Sequence, residues 1–170
     1  MATTYELIAQ NVLGSDTSSV TFSSIPGTYT DLYVVISARS ARSGAFADGL
    51  QLSFNGSTSN YSKRSLYVDS TVVGSASASN RIFSDIAAAT VTASTFASVE
   101  LYIPNYAGGT NKSYSATGVV ENNSSTVYGI SCQAGLWSDT SAITSVAFTT
   151  SNSQDFKADS SFFLFGITKA

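Results

Sequence analysis

The sequence predicts an all-β fold: an antiparallel β-sandwich of jelly-roll type, with about eight core strands plus one or two edge strands in a single domain spanning 1–170. Three observations predict it. Segment after segment alternates apolar and polar residues with a period of two, which gives each strand two different faces. Clusters of Gly, Pro, Asn, Asp and Ser separate these segments about every 10 to 18 residues. Ten Phe and nine Tyr in 170 residues favour strands over helices.

The elements follow in order. Tyr5 to Leu13 reads as a first strand, closed by Gly14-Ser15-Asp16, and Ser19 to Ser23 as a short second one. Pro26-Gly27 carries the type II turn pattern, proline fixing the first central φ and glycine taking a positive φ at the second. Asp31 to Arg39 is apolar on both faces, as a central strand would be. Ser40 to Asp48 is a loop. Leu50, Leu52 and Phe54 then form one face of a half-buried strand. Asn55-Gly56 ends that strand, and the polar residues after it predict a longer connection in place of a tight hairpin.

Arg64 to Asp69 is a short strand expected to turn Leu66 and Val68 inward. Gly74 to Ser79 is low in complexity and reads as a loop, residues 81–86 are ambiguous, and residues 86–96 read as a loop or a single turn. Val99, Leu101 and Ile103 mark a strand that Pro104 ends, and Tyr114, Ala116 and Val120 mark another. The clearest stretch is Val127 to Thr149, which reads as strand, polar turn and strand. Tyr128, Ile130, Cys132, Ala134 and Leu136 form its expected buried face, with Trp137 at the corner. Ser161 to Ile167, apolar on both faces, is the last strand; it sits either between layers or against another subunit.

Composition excludes several chemistries. The chain has no histidine, which removes His-based acid–base catalysis, Ser-His-Asp and Cys-His nucleophiles, and the commonest zinc and copper sites. No catalytic, cofactor-binding or metal-ligating residue is assigned. Charged residues are 11% of the chain and the net charge is −3, with the eight basic residues scattered. That argues against nucleic acid as a partner. The N-terminal residues lack the pattern of a signal peptide, and no apolar run is long enough to span a membrane. Cys132 is the single cysteine and cannot form an intrachain disulfide; it is expected to be a small buried hydrophobe.

Candidate contact residues remain. Arg39 and Arg42 end the central strand, where they either bind carboxylates and loop carbonyls or reach a neighbouring subunit. Trp137, with Tyr61, Tyr106 and Tyr128, could form an aromatic platform for a sugar, or pack at a rim or interface. An apolar element for subunit contact is offered by the last strand (Phe162 to Ile167), with Phe163 and Phe165, or by the N-terminal strand. Glu100 and Glu121 would be the carboxylates of a histidine-free glycosidase, against the usual role of such residues as solvated or turn-capping groups.

Six stretches, taken with their order and spacing, resemble a group of small virion structural proteins of tailed bacteriophages, common in cyanophages and marine phages. They are VTFSSIPGTYTDL (20–32), ISARSARS (36–43), LQLSFNG with NYS (50–62), LYIPNYAGGTNKS (101–113), AGLWSDTSAITS (134–145) and SSFFLFGI (160–167). The resemblance implies a non-enzymatic jelly-roll protein on the virion. The expected role is a capsid decoration (cement) protein, a homo-oligomer, expected to be a trimer, that bridges major capsid protein subunits. The alternative is a tail- or fibre-associated module that binds a receptor carbohydrate.

Overall fold

Side-chain alternation sorts twelve strands into two antiparallel sheets in the computed structural model, which describes residues 4–123 and 129–168. The strands are β1 (Tyr5–Val12), β2 (Ser19–Phe22), β3 (Asp31–Ala38), β4 (Ala47–Phe54), β5 (Tyr61–Asp69) and β6 (Val72–Ala78). They continue as β7 (Ile82–Ala87), β8 (Ala97–Pro104), β9 (Lys112–Val120), β10 (Gly129–Trp137), β11 (Val146–Thr150) and β12 (Ser161–Ile167). The large sheet runs β1-β12-β3-β8-β9-β10-β5-β6, and the small one β2-β11-β4-β7. The result is an antiparallel β-sandwich, the predicted class, with strand orders compatible with a jelly roll.

The core lies where the small sheet covers the middle of the large one. Leu32, Val34 and Ile36 of β3, Val99, Leu101 and Ile103 of β8, and Phe162 and Leu164 of β12 point inward. Phe22, Leu50, Leu52, Phe54, Val146 and Phe148 meet them from the small sheet. Phe148 stacks on Phe162 with ring centroids 5.7 Å apart, and Phe156 meets Phe162 edge-on at 5.1 Å. Offset and edge-on pairs of this kind add to simple area burial.

The alternation in β3, β8 and β9 points as the sequence predicts, but the stretch from 127 to 149 does not form a hairpin. β10 pairs with β5 and β9 in the large sheet, and β11 pairs with β2 and β4 in the small one. The intervening residues cross between layers. The faces of β10 are also reversed. Ile130 is 50% exposed and Cys132 is exposed, while Ser131, Gln133 and Trp137 are buried. The reason is local: β10 carries glycine at 129 and 135 on its inner face, and the Tyr114 ring from β9 fills the space beside Gly135.

Other expectations change for related reasons. Leu66 faces outward and is 67% exposed, because Ser65 and Tyr61 take the inner positions of β5. Gly74 to Ala78 is no loop; it is part of edge strand β6, held in register by β5. Gly27 does not have a positive φ, so the type II pattern is not used; Ser24 takes the left-handed conformation instead (φ 55°). Asn55 and Gly56 do turn tightly, with φ of 52° and 73° and a Ser57 N–H bond to Phe54 O of 2.9 Å. That turn still makes no hairpin, since β4 and β5 belong to different sheets.

Candidate functional site

Strand register builds the outer face of the eight-stranded sheet row by row. One row runs Leu7, Phe165, Tyr33, Tyr102, Ser115, Ala134, Arg64, Ser77 across all eight strands. The next runs Gln10, Phe163, Val35, Glu100, Thr117, Cys132, Leu66, Ser75. A third joins Val119, Ile130, Val68 and Val73. Directly opposed residues share a face, so these side chains stand side by side on one surface. Toward β1 the face is aromatic and half-buried; toward β6 it is aliphatic and open, with Val73 82% exposed.

Few charges interrupt it: Asp31, Glu100 and Arg64. Two of the three are engaged with tyrosines. Burial, and then the hydrogen bond and charge of Glu100, push the Tyr33 phenol up to about 12. Tyr102 Oη donates to Asp31 Oδ2 at 2.8 Å, and this bond is the main reason its pKa is raised. Asp31 Oδ1 also accepts Asn105 N–H at 2.8 Å, which caps the turn after β8. Tyr5 meets Tyr33 edge-on with ring centroids 6.0 Å apart. Exposed apolar residues grouped on one face among polar ones are the kind of surface that marks interaction sites.

No protein-family model matches the chain, and no curated protein matches it.

Phe163 and Phe165 lie on this outer face, each half-buried. The other candidate contact residues do not. Trp137 is 2% exposed, stacked on Tyr61 at 6.1 Å and tilted against Phe54 at 5.6 Å, so its ring has no surface to offer a partner. Arg39 is 7% exposed and donates from both terminal nitrogens to four main-chain carbonyls: Thr92 and Thr95 at 2.8 and 2.9 Å, Ala89 and Val91 at 3.1 and 2.9 Å. It staples residues 89–95 to the end of β3. Arg42 donates to Ala47 O at 2.8 Å and remains partly exposed.

The aromatic platform is also dispersed into the core. Tyr61 and Tyr106 are buried, and burial raises the Tyr61 phenol to about 12. Tyr128 lies outside the described residues. Glu100 stands on the outer face beside Tyr33, while Glu121 Oε1 caps Asn123 N–H at 2.7 Å. Among the described residues no group of three His, Cys, Asp or Glu could hold a metal ion, and no helix is long and apolar enough to cross a membrane.

The sequence points to the N-terminal strand of Tyr5 and Leu7 as a contact element but not to Tyr33 and Tyr102. The signal was available in part: a strand with apolar residues at both parities must present one set away from the core unless a second layer covers it. Lys112, one of the scattered basic residues of the sequence, is a core residue in the structure. It is fully buried, with Nζ donating to Gly108 O at 2.6 Å and to Thr110 O, and burial lowers its pKa.

Proposed function

We propose that this protein is a virion structural protein of a tailed bacteriophage. Its role is capsid decoration: an oligomer, expected to be a trimer, that bridges major capsid protein subunits. The observation that carries the reading is the outer face of the eight-stranded sheet, which is broad, regular, low in charge, and aromatic around Phe163 and Phe165. A contact repeated at high density on a shell gains from apolar and hydrogen-bonded surface, which desolvates cheaply and does not repel its own copies. The resemblance of six stretches to virion proteins points the same way. On this reading the aromatic half around Phe163 and Phe165 seats on the capsid subunit and clamps neighbouring subunits against internal pressure.

The test is capsid binding and stability. Purified particles lacking the protein should bind it and release DNA at a higher temperature once it is bound. The double variant Phe163→Ser/Phe165→Ser should remain folded and lose that binding. Unchanged particle stability, or full binding by the variant, would overturn the reading. A tail- or fibre-associated carbohydrate module built on Tyr61, Tyr106 and Trp137 is not supported, because those rings are in the core. Copy number separates the two locations: hundreds per particle for decoration, about six or a dozen for a tail position, as the symmetry of each assembly requires.

A further inference from the structure

The large sheet is wider than the small one, and its β5–β6 end extends past β7, which packs on β8, β9 and β10. There β5, β6, β9 and β10 wall a cleft of about 340 Å³, with Asp85 of β7 and Phe46 contributing from the other side. That volume lies within the range of small-molecule sites, about 300–1,000 Å³.

The lining is unusual for the inner side of a sandwich. Ser65, Ser131 and Gln133 are all buried there, at 8%, 7% and 5% exposure. Gln133 Oε1 accepts no hydrogen bond among the described residues. A buried carbonyl oxygen left unpaired costs about 1–3 kcal/mol; of the unpaired buried side-chain atoms among the described residues, this one alone belongs to a residue that lines the cleft, where a donor from outside can reach it. β10 has turned Ser131 and Gln133 into this space while leaving Ile130 and Cys132 in solvent, the reverse of what burial alone favours.

The charges limit the ligand. Lys63 is the one cation on the walls, and Asp69 and Asp85 are the two carboxylates. Lys63 is half-buried and Asp85 exposed at the cleft; partial desolvation by the walls lowers the Lys63 pKa and raises that of Asp85, and each opposes the other's shift. Such a balance favours neither a strong anion nor a metal ion. It supplies hydroxyl, amide, ammonium and carboxylate groups together, the mixture that matches a ligand carrying many donors and acceptors. Tyr67 adds an aromatic wall; its ring lies across Gly74, where an added Cβ would fall 2.7 Å from Tyr67 Cζ.

We propose that this cleft binds a neutral sugar residue, with Gln133 Oε1 accepting from a sugar hydroxyl, Lys63 and Asp85 bonding further hydroxyls, and Tyr67 and Phe46 flanking the ring. The site is separate from the outer face and independent of the capsid reading. The experiment is an amide-resolved NMR titration of the full chain with the methyl glycosides of glucose, galactose, mannose and N-acetylglucosamine, and with glucuronate as a charged comparator. At least one neutral glycoside should give saturable shifts confined to residues 63–69, 85 and 131–133. Gln133→Met, which keeps the volume and removes the acceptor, should weaken that binding about tenfold, as should Asp85→Asn. Absence of saturable shifts with every neutral glycoside, shifts elsewhere on the sandwich, binding of glucuronate alone, or full affinity in both variants would each overturn the proposal. A cleft that only holds water gives the first of these results.

Discussion

Tyr114 occupies the space that a side chain at position 135 would need. The two residues face each other across β9 and β10, and a Cβ on Gly135 would fall 2.0 Å from Tyr114 Cζ. The glycine and the ring form one packing unit, joined by Phe54, which meets Tyr114 edge-on at 6.0 Å. Gly135→Ala should therefore displace the ring and destabilise the protein by about 2 kcal/mol, in the range of overpacked cores. Tyr114→Phe should do the opposite. Tyr114 Oη is buried without a partner among the described residues, so removing it should leave stability unchanged or raise it by about 1 kcal/mol. Urea denaturation of the two variants checks both signs.

Arg39 and Arg42 should separate sharply in the same assay. Arg39→Ala strands four carbonyls that share one guanidinium, and should cost about 3 kcal/mol or more. Arg42→Ala removes the side-chain bond to Ala47 O at a partly exposed site and should cost under about 1 kcal/mol. Equal, small effects would show that Arg39 is not the staple of residues 89–95.

Cys132 should behave as a surface thiol. It stands on the outer face between Thr117 and Leu66, exposed to solvent. The native protein should react fully with a thiol reagent without denaturant, and Cys132→Ser should change stability by less than about 0.5 kcal/mol. Reaction only after unfolding would place the residue on the buried side that the alternation suggests.

Acid stability should carry contributions of opposite sign. The hydrogen bond from Lys157 lowers the Asp16 pKa, and the Ser141 N–H lowers that of Asp139. The stability these carboxylates add is present above about pH 4, the unfolded carboxyl value, and is lost as pH falls through their lower folded values. Asp85 runs the other way. Its side chain is exposed, but the cleft walls around it displace enough water to raise its pKa, so the folded state modestly prefers its proton and gains a little stability as pH falls through that raised value. Asp85→Asn should stabilise the protein at neutral pH, with the gain vanishing below about pH 4. Urea midpoints measured across this range check both limbs.

The legible and illegible parts of the sequence divide along β8 and β10. In β8 every apolar residue of one parity is buried, since the small sheet lies directly over it. In β10 the same period of two is present, but both parities are plausible cores: Ile130, Cys132 and Leu136 on one side, Trp137 with two glycines on the other. Periodicity states that a strand has two faces; it does not state which one a second layer covers. β6 was hidden for a different reason. Its Gly, Ser and Ala residues have little strand preference of their own, and backbone pairing to β5 holds them extended. For the candidate site, Phe163 and Phe165 were visible as surplus apolar residues. Tyr33 and Tyr102 were not, because only register places them beside each other.

The position of β12 sets the order in which the sandwich can assemble. It lies between β1 and β3, bonded to both, although more than a hundred residues separate it from either. Until β12 has been synthesised, β3 has an unpaired edge and β1 has no neighbour. Folding must therefore wait for the last strand to insert between two of the first three. Such distant closure makes for slow, late and strongly cooperative folding, and leaves β1 dependent on β12 for its place in the sheet.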